Sequence, residues 1–467
     1  MKAKTAKREL DMLHGPIWNK IPLFALPVAA TAILEQLFNA SDIAIVGNFT
    51  GAQRTASVAA VGANSPIISL LVNLFVGIAL GANVVIAHAI GQGDKNTVQK
   101  AVHTSILVSL LGGVLVAALG ELAAAPLLRL LQVPDDVFPL ALLYLRIYLL
   151  GMPVILLYNF EAAIFRSVGE TKIPLLALAV SGVVNVALNL FFVAVLGMTV
   201  NGVAIATVIS NALSSAILYF RLRTTAREVH VEPHLLRIDL GILKRILRIG
   251  LPAGIQSGVF SLANIIIQSA INSLGTVVMA ASSAAFNIEI FTYDIVNAFG
   301  QACTTFVGQN FGAGELKRCK KTLLLCLAEG AVILLAAIAL IISFGKPLLS
   351  IFNSDPEVID IGYIRLMMIV SAHFFSMLYE VMSGYLRGFG ISFMPAILTM
   401  IGVCVVRLLW IQFVFPLSRT FRTIMLVYPV SLSLTALMIF VALLCTRPSR
   451  RFAKKVDARH SAHCKVK

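Results

Sequence analysis

The sequence predicts an all-α membrane protein with twelve transmembrane helices in two pseudo-symmetric six-helix lobes. Three observations carry that expectation. The 467-residue chain is 58% hydrophobic and 13% charged, with a mean hydropathy of +0.91, against roughly 45–50% apolar and about 25% charged for soluble domains. Its apolar residues fall in blocks of about 20 or more, the length a helix needs to cross about 30 Å of hydrocarbon at about 1.5 Å per residue. The second half of the chain also repeats the first. The blocks contain Gly and Pro and lack alternation of apolar and polar residues, which excludes a β-barrel.

Broken at polar and Gly/Pro clusters, the spans cover about 18–46, 58–88, 98–120, 136–164, 174–198, 200–220, 246–272, 278–308, 320–344, 358–386, 394–416 and 422–445. The breaks are physically plain. Gly91-Gln92-Gly93-Asp94 ends the second span, Asp135-Asp136 precedes the fourth, Arg166 to Gly169 follows it, and an Arg-rich stretch separates the sixth from the seventh. The expected organisation is an N-terminal segment 1–17, a first lobe 18–220, a linker 221–245, a second lobe 246–445 and a basic tail 446–467.

An even number of spans puts both termini on one side. Basic residues near span ends resist translocation, and 28 of the 37 Lys and Arg lie in the two terminal segments and the connections on their side, against five on the other: Arg54, Arg129, Lys346, Arg419 and Arg422. Both termini are therefore expected in the cytoplasm, and the membrane is expected to be the plasma membrane, a bacterial inner membrane. The formal charge of +15 sits in the connections rather than on a basic face with interleaved aromatics, so no nucleic-acid partner is expected. The six cysteines offer no outer-loop pair for a disulfide. The stretch from Met1 to His14 runs into an apolar block without a small-residue cleavage site, so no removable signal peptide is expected.

The internal repeat is read from matched motifs. Gly91-Gln92-Gly93-Asp94 recurs as Gly312-Ala313-Gly314-Glu315, Pro126-Leu127-Leu128 as Pro347-Leu348-Leu349, and Arg166 to Gly169 as Arg387 to Gly390, all at the same offset along the chain. Leu26-Pro27 recurs as Leu251-Pro252, and Pro174 as Pro395. Parallel repeats related by an axis along the membrane normal place a transporter's substrate at the repeat interface.

These stretches resemble the multidrug and toxic compound extrusion (MATE) transporters from about Ile21 to Cys445. The resemblance rests on LFNASDIAIVGNFTG (37–51), GQGDKNTVQKA (91–101), RSVGETKIP (166–174), NVALNLFF (185–192), NGVAIATVIS (201–210) and VGQNFGAGELKRCKK (307–321). Their order, spacing and duplication are more specific than any one of them. The resemblance, which places the fold in the multidrug/oligosaccharidyl-lipid/polysaccharide flippase superfamily, implies a two-lobe bundle that alternates between outward and inward states. It also implies export of amphipathic, often cationic, compounds against entry of H⁺ or Na⁺.

Ionisable groups inside hydrocarbon cost about 2.5–3.5 kcal/mol even by lenient scales, so each is a functional candidate. Asp42 lies about 7 Å below the expected outer end of its span, Asn189 about 13 Å and Asn185 about 20 Å below theirs, and Thr207 about 10 Å below its own. Asn185 and Asn189, four apart, share a helix face. Asp42, Asn189 and Thr207 are thus expected to converge, with Asn185 deeper, around one carboxylate able to hold a proton or help coordinate a hard cation. In the branch of the family this chain resembles, a site with this pattern in the first lobe is implicated in ion coupling, and it maps onto Asp42, Asn185, Asn189 and Thr207. The departure is Asn189, where many relatives carry a second Asp; losing that acid weakens attraction for Na⁺ and favours H⁺. The competing reading is a structural carboxylate satisfied by its amide neighbours. The repeat argues against it, because Asn185 and Asn189 correspond to Val406 and Trp410.

Pro27, fifteen residues before Asp42, removes a backbone donor and marks a candidate hinge; a static kink is the competing reading. Glu35, Glu161, Glu289, Asp294, Glu380 and Arg407 are secondary candidates for the cavity, the acids equally able to pair with Arg146, Arg365 or Arg407. His88 and His373 read as packed histidines. His460, His463 and Cys464 suit a metal less well than a basic tail beside anionic lipid. No Walker loop, HExxH or GxSxG is present, so neither an ATP-driven pump nor an enzyme is expected. No cofactor or metal is expected beyond the coupling ion. The expected partners are small-molecule substrates and the lipid bilayer, and the chain is expected to act as a monomer. The rival within the superfamily is a flippase or exporter of lipid-linked or polyanionic cargo.

Overall fold

The computed structural model describes residues 10–453, which are helical almost throughout and contain no strand. His460, His463, Cys464 and most of the basic tail lie outside the described residues. The helices are α1 (Lys20–Phe49), α2 (Arg54–Gln92), α3 (Lys95–Leu130), α4 (Phe138–Leu150), α5 (Met152–Ser167), α6 (Lys172–Leu190) and α7 (Val200–Thr224). They are followed by α8 (Leu240–Asn272), α9 (Thr276–Gly312), α10 (Leu316–Ser350), α11 (Pro356–Gly388), α12 (Phe393–Thr399), α13 (Val406–Leu409), α14 (Phe421–Met425) and α15 (Val427–Thr446).

Among the described residues, ten helical spans are long and apolar enough to cross a membrane, and α4 with α5, counted as one bent span, makes eleven. The remaining expected span, 278–308, falls on the 37-residue α9. Its Glu289, Thr292, Asp294, Gln301, Gln309 and Asn310 make it more polar than its neighbours, so twelve is an approximate count. The 51° bend between α4 and α5 falls at Gly151-Met152-Pro153, where the proline has no N–H to continue the ladder. Expected span 5 and span 11 are also not plain α-helix. Residues Phe191–Val195, Met400–Val405 and Trp410–Val414 each wind as π-helix.

The repeat reappears in the backbone. Gly93 and its counterpart Gly314 take φ of +68° and +78°, and Gly169 and its counterpart Gly390 take +83° and +79°. A side chain is disfavoured in this left-handed region, so glycine turns the chain between helices there. After Gly93, Asp94 starts α3 by accepting a hydrogen bond from the Thr97 amide at 3.0 Å, the usual N-cap geometry.

Two compact units divide the described chain. One comprises Ala30–Ile86 and Asp94–Gly254; in it α7 packs on α4, α5 and α6, and α3 packs on α4 and α5. The other comprises the chain up to Ala29, Ala87–Gly93 and the chain from Ile255; in it α11 packs on α9, α10 and α15. Two of the long proline-bearing helices, α1 and α8, change unit two residues after their proline, at Ala29 after Pro27 and at Gly254 after Pro252.

Candidate functional site

The first unit gathers four of the expected residues around one acid. Asp42 on α1 is buried, with 6% of its surface exposed. The Asn189 side-chain amide donates to Asp42 Oδ1 at 2.5 Å, and the Thr207 hydroxyl donates to Asp42 Oδ2 at 3.1 Å. Asn189 Nδ2 also donates to Asn185 Oδ1 at 3.1 Å, and Asn185 Nδ2 donates to Ser210 Oγ at 3.4 Å. The line runs from α1 across α6 to α7, and every partner of the carboxylate is neutral.

Local sequence explains how α1 comes this close. Gly182, Asn185 and Asn189 lie on one face of α6 by the three-and-four spacing of a helix, and Phe38 lies one turn before Asp42 on α1. A Cβ on Gly182 would sit 1.9 Å from the Phe38 ring, so only glycine lets the two helices approach at this depth. A Ser181–Ser214 hydroxyl contact ties α6 to α7 one turn deeper.

The geometry accommodates a proton without moving a heavy atom. With Asp42 ionised, both oxygens receive a donor, which favours the anion. With Asp42 protonated on Oδ2, it can donate to Thr207 Oγ1, because the threonine proton has a second acceptor in place, the Val203 carbonyl at 3.0 Å. Asn189 Oδ1 is buried with no hydrogen-bond partner, a further oxygen at the site.

The secondary candidates do not join this group. Glu35 is exposed on α1 and interacts electrostatically with Tyr158 and Arg166. Glu161 on α5 is fully buried, accepts from the Ser215 hydroxyl at 2.8 Å and leaves Oε1 without a hydrogen bond. In the other unit, Arg365 donates to both oxygens of Glu289 at 2.9 and 2.6 Å, and Arg387 donates to Glu380. Asp294 is buried at 6% exposure. Arg146 pairs with Glu121 at 3.4 Å. Pro27 lies in the part of α1 that belongs to the second unit, where Phe24 packs edge-on to Phe306. His88 Nε2 donates to the Gly388 carbonyl at 2.7 Å, and His373 Nδ1 bonds the Thr292 hydroxyl at 2.6 Å.

Sequence reasoning missed Gly182, Ser210 and the tyrosines. Tyr144 and Tyr148 both feel the Asp42 charge. Ser210 was signalled by its spacing, one turn beyond Thr207; Gly182 was signalled by its place on the Asn185 face.

Comparison with known proteins places this architecture. The MatE family model matches residues 27–191 and 252–411, one copy in each half. The chain is 27% identical over 396 residues to the probable multidrug resistance protein YoeA of Bacillus subtilis, covering 83% of this chain and 84% of that one. It is 26% identical to the probable multidrug resistance protein NorM of Thermotoga maritima, with 82% of each covered. It is 24% identical to the FAD transporter of Shewanella oneidensis, with 75% and 77% covered. Among solved structures, a MATE protein in complex with MaL6 superposes with a TM-score of 0.87 at 23% identity, covering 96% of this chain and 99% of that one. The match covers most of both halves, with the fold and the duplication in agreement: this chain is a multi-pass membrane protein belonging to the MatE family of transporters.

Proposed function

We propose that this protein is a secondary active antiporter that exports amphipathic, cationic compounds in exchange for H⁺, by alternating access, across a bacterial inner membrane with both termini in the cytoplasm. The observation that carries the reading is the Asp42 group: one buried acid, two amides and a hydroxyl, with a hydrogen-bond pattern that fits both the ionised and the protonated carboxyl. Na⁺ suits the group less well, because asparagine at 189 in place of a second acid leaves a single carboxylate to attract a hard cation. Two relatives bear the name of multidrug resistance proteins, which supports drug-like cargo.

In this reading Pro27 is the hinge. It stands two residues before α1 passes from one compact unit to the other, and a helix bends most readily where proline removes a backbone bond. Protonation of Asp42 discharges the site and lets α1 move against α6 and α7, changing the space open to cargo. The protein works as a monomer in the bilayer, and the two lobes joined by the linker at 221–245 are the moving parts.

Transport in proteoliposomes tests this. A pH gradient should drive a cationic dye through the native chain, and Asp42→Asn should abolish the gradient-driven part while dye binding remains. Normal export by Asp42→Asn would remove Asp42 from coupling. The rival reading, a flippase or exporter of lipid-linked or polyanionic cargo, draws support from the relative named as an FAD transporter. Movement of an anionic carrier in place of the dye would select it.

A further inference from the structure

Inside the second unit, a buried arginine stands without an acid. Arg407 on α13 is 3% exposed. Its Nη1 donates to Asn264 Oδ1 at 3.1 Å and its Nε to Ser431 Oγ at 3.4 Å. The guanidinium stacks over the Tyr428 ring at 4.4 Å and faces Phe260 at 5.6 Å. Every one of these neighbours is neutral, and no carboxylate forms an ion pair with Arg407 among the described residues. Nη2 makes no hydrogen bond among the described residues, so one end of the fork is unpartnered.

The surrounding charges do not cancel it. Arg365 is already satisfied by both oxygens of Glu289 and by Ser282 at 2.6 Å, and it also interacts with Tyr428. His373, between the two arginines electrostatically, bonds the neutral Thr292 hydroxyl. Glu380 is taken by Arg387. Asp294, also on α9, is buried, and Tyr293 beside it interacts electrostatically with Asp294, Glu380, Arg387 and Arg407. Glu289 is thus committed to Arg365 and Glu380 to Arg387, and no acid is bonded to Arg407 itself among the described residues. Burying an uncompensated charge is costly, and such a charge is retained where a partner completes it.

The backbone singles out the same residue. Arg407 sits in a four-residue α-helical piece between two π-helical segments, Met400–Val405 and Trp410–Val414, and π-segments concentrate at functional sites. Asn264, its Nη1 partner, is exposed, which leaves the cluster open on that side.

We propose that Arg407, with Asn264, Ser431 and the ring of Tyr428, forms a binding site for a single carboxylate or phosphate group. The planar fork suits two-point contact with such an anion, and the Tyr428 and Phe260 rings suit an aromatic or aliphatic body attached to it. The site lies wholly in the second unit and does not depend on the coupling role of Asp42. The anion is either a free inorganic ion or the acidic group of an amphipathic cargo.

The test is equilibrium binding of radiolabelled benzoate to the purified full-length protein in a zwitterionic buffer without carboxylate, phosphate or chloride salts. One equivalent should bind to the native chain and to Asp42→Asn alike. Losing a charge-assisted hydrogen bond should weaken binding about tenfold or more in Arg407→Met. Competition by chloride or phosphate at the same concentration as benzoate identifies the inorganic ion as the ligand; competition by organic carboxylates alone identifies the cargo. Because a buried unpaired charge replaced by an apolar chain of similar length is neutral or stabilising, Arg407→Met should melt no lower than the native protein in the same zwitterionic buffer without benzoate. Absence of benzoate binding, equal binding by Arg407→Met, or a folded but markedly less stable Arg407→Met would each overturn the proposal.

Discussion

The two halves share a scaffold and differ in charge. In the register of the repeat, Thr207 and Ser210 correspond to Tyr428 and Ser431, while Asn185 and Asn189 correspond to Val406 and Trp410. Around the first set lies a single acid held by neutral donors. Around the second lie two arginines and one glutamate, with the Asn264 amide and aromatic faces against Arg407. Duplication preserved what the fold needs, namely helix lengths and left-handed turn glycines such as Gly93 and Gly314. It did not preserve the polar interior, so each half is free to handle a different charge.

The contrast predicts unequal responses to neutralising an acid. Glu289→Gln strands the buried Arg365, which should cost about 3–5 kcal/mol of stability; Asp42→Asn strands nothing and should cost no more than about 1 kcal/mol. Thermal unfolding in detergent or lipid nanodiscs reads both, and equal losses would erase the distinction between a structural pair and a functional acid.

Asn189→Asp widens the difference by restoring a second acid at a position whose side chain now lies 2.5 Å from Asp42. Two carboxylates at that distance cannot both be charged unless a cation bridges them. Dye export driven by a Na⁺ gradient should appear in this variant and be negligible in the native chain. Export that remains indifferent to Na⁺ would mean that Asn189 does not choose the ion.

Gly182→Ala tests the close approach of α1. Its new methyl collides with Phe38, and overpacking of this kind costs about 1–3 kcal/mol. Transport should fall although all four polar residues are intact; the equivalent change at Gly93, where nothing lies within 4 Å, should act only through backbone strain and leave coupling unchanged.

Much of this was legible in the sequence. Apolar block lengths gave the helices, and depth arithmetic along three of them brought Asp42, Asn189 and Thr207 to a common level. The helix rotations were not legible. Glu289 and Arg365 are 76 residues apart, and composition cannot say which of several acids faces which arginine. The π-segments near Arg407 were hidden because a wider turn in an apolar stretch leaves no mark on its periodicity. Asparagine at 189 in place of an acid was visible, but its role as a two-way donor required the geometry.

A weaker contrast between the halves lies outside the membrane. The Thr97 hydroxyl and amide hold the Asp94 carboxyl below its ordinary value. A group depressed in the folded state adds stability above its unfolded value and loses it as the pH falls through the folded one. Asp94→Ala should therefore cost about 1 kcal/mol at neutral pH and nothing in strong acid, as unfolding measured at the two pH values would show. No matching acid-sensitive cap stands before α10, where the Glu315 side chain makes no capping bond.

Coupling rests on Asp42 gaining and losing a proton, and pH-difference infrared spectroscopy of the purified protein in lipid reads that event at the carboxyl itself. A protonated-carboxyl band should titrate in the native chain, be missing in Asp42→Asn and persist in Glu289→Gln. The same titrating band in native protein and Asp42→Asn would refute the assignment.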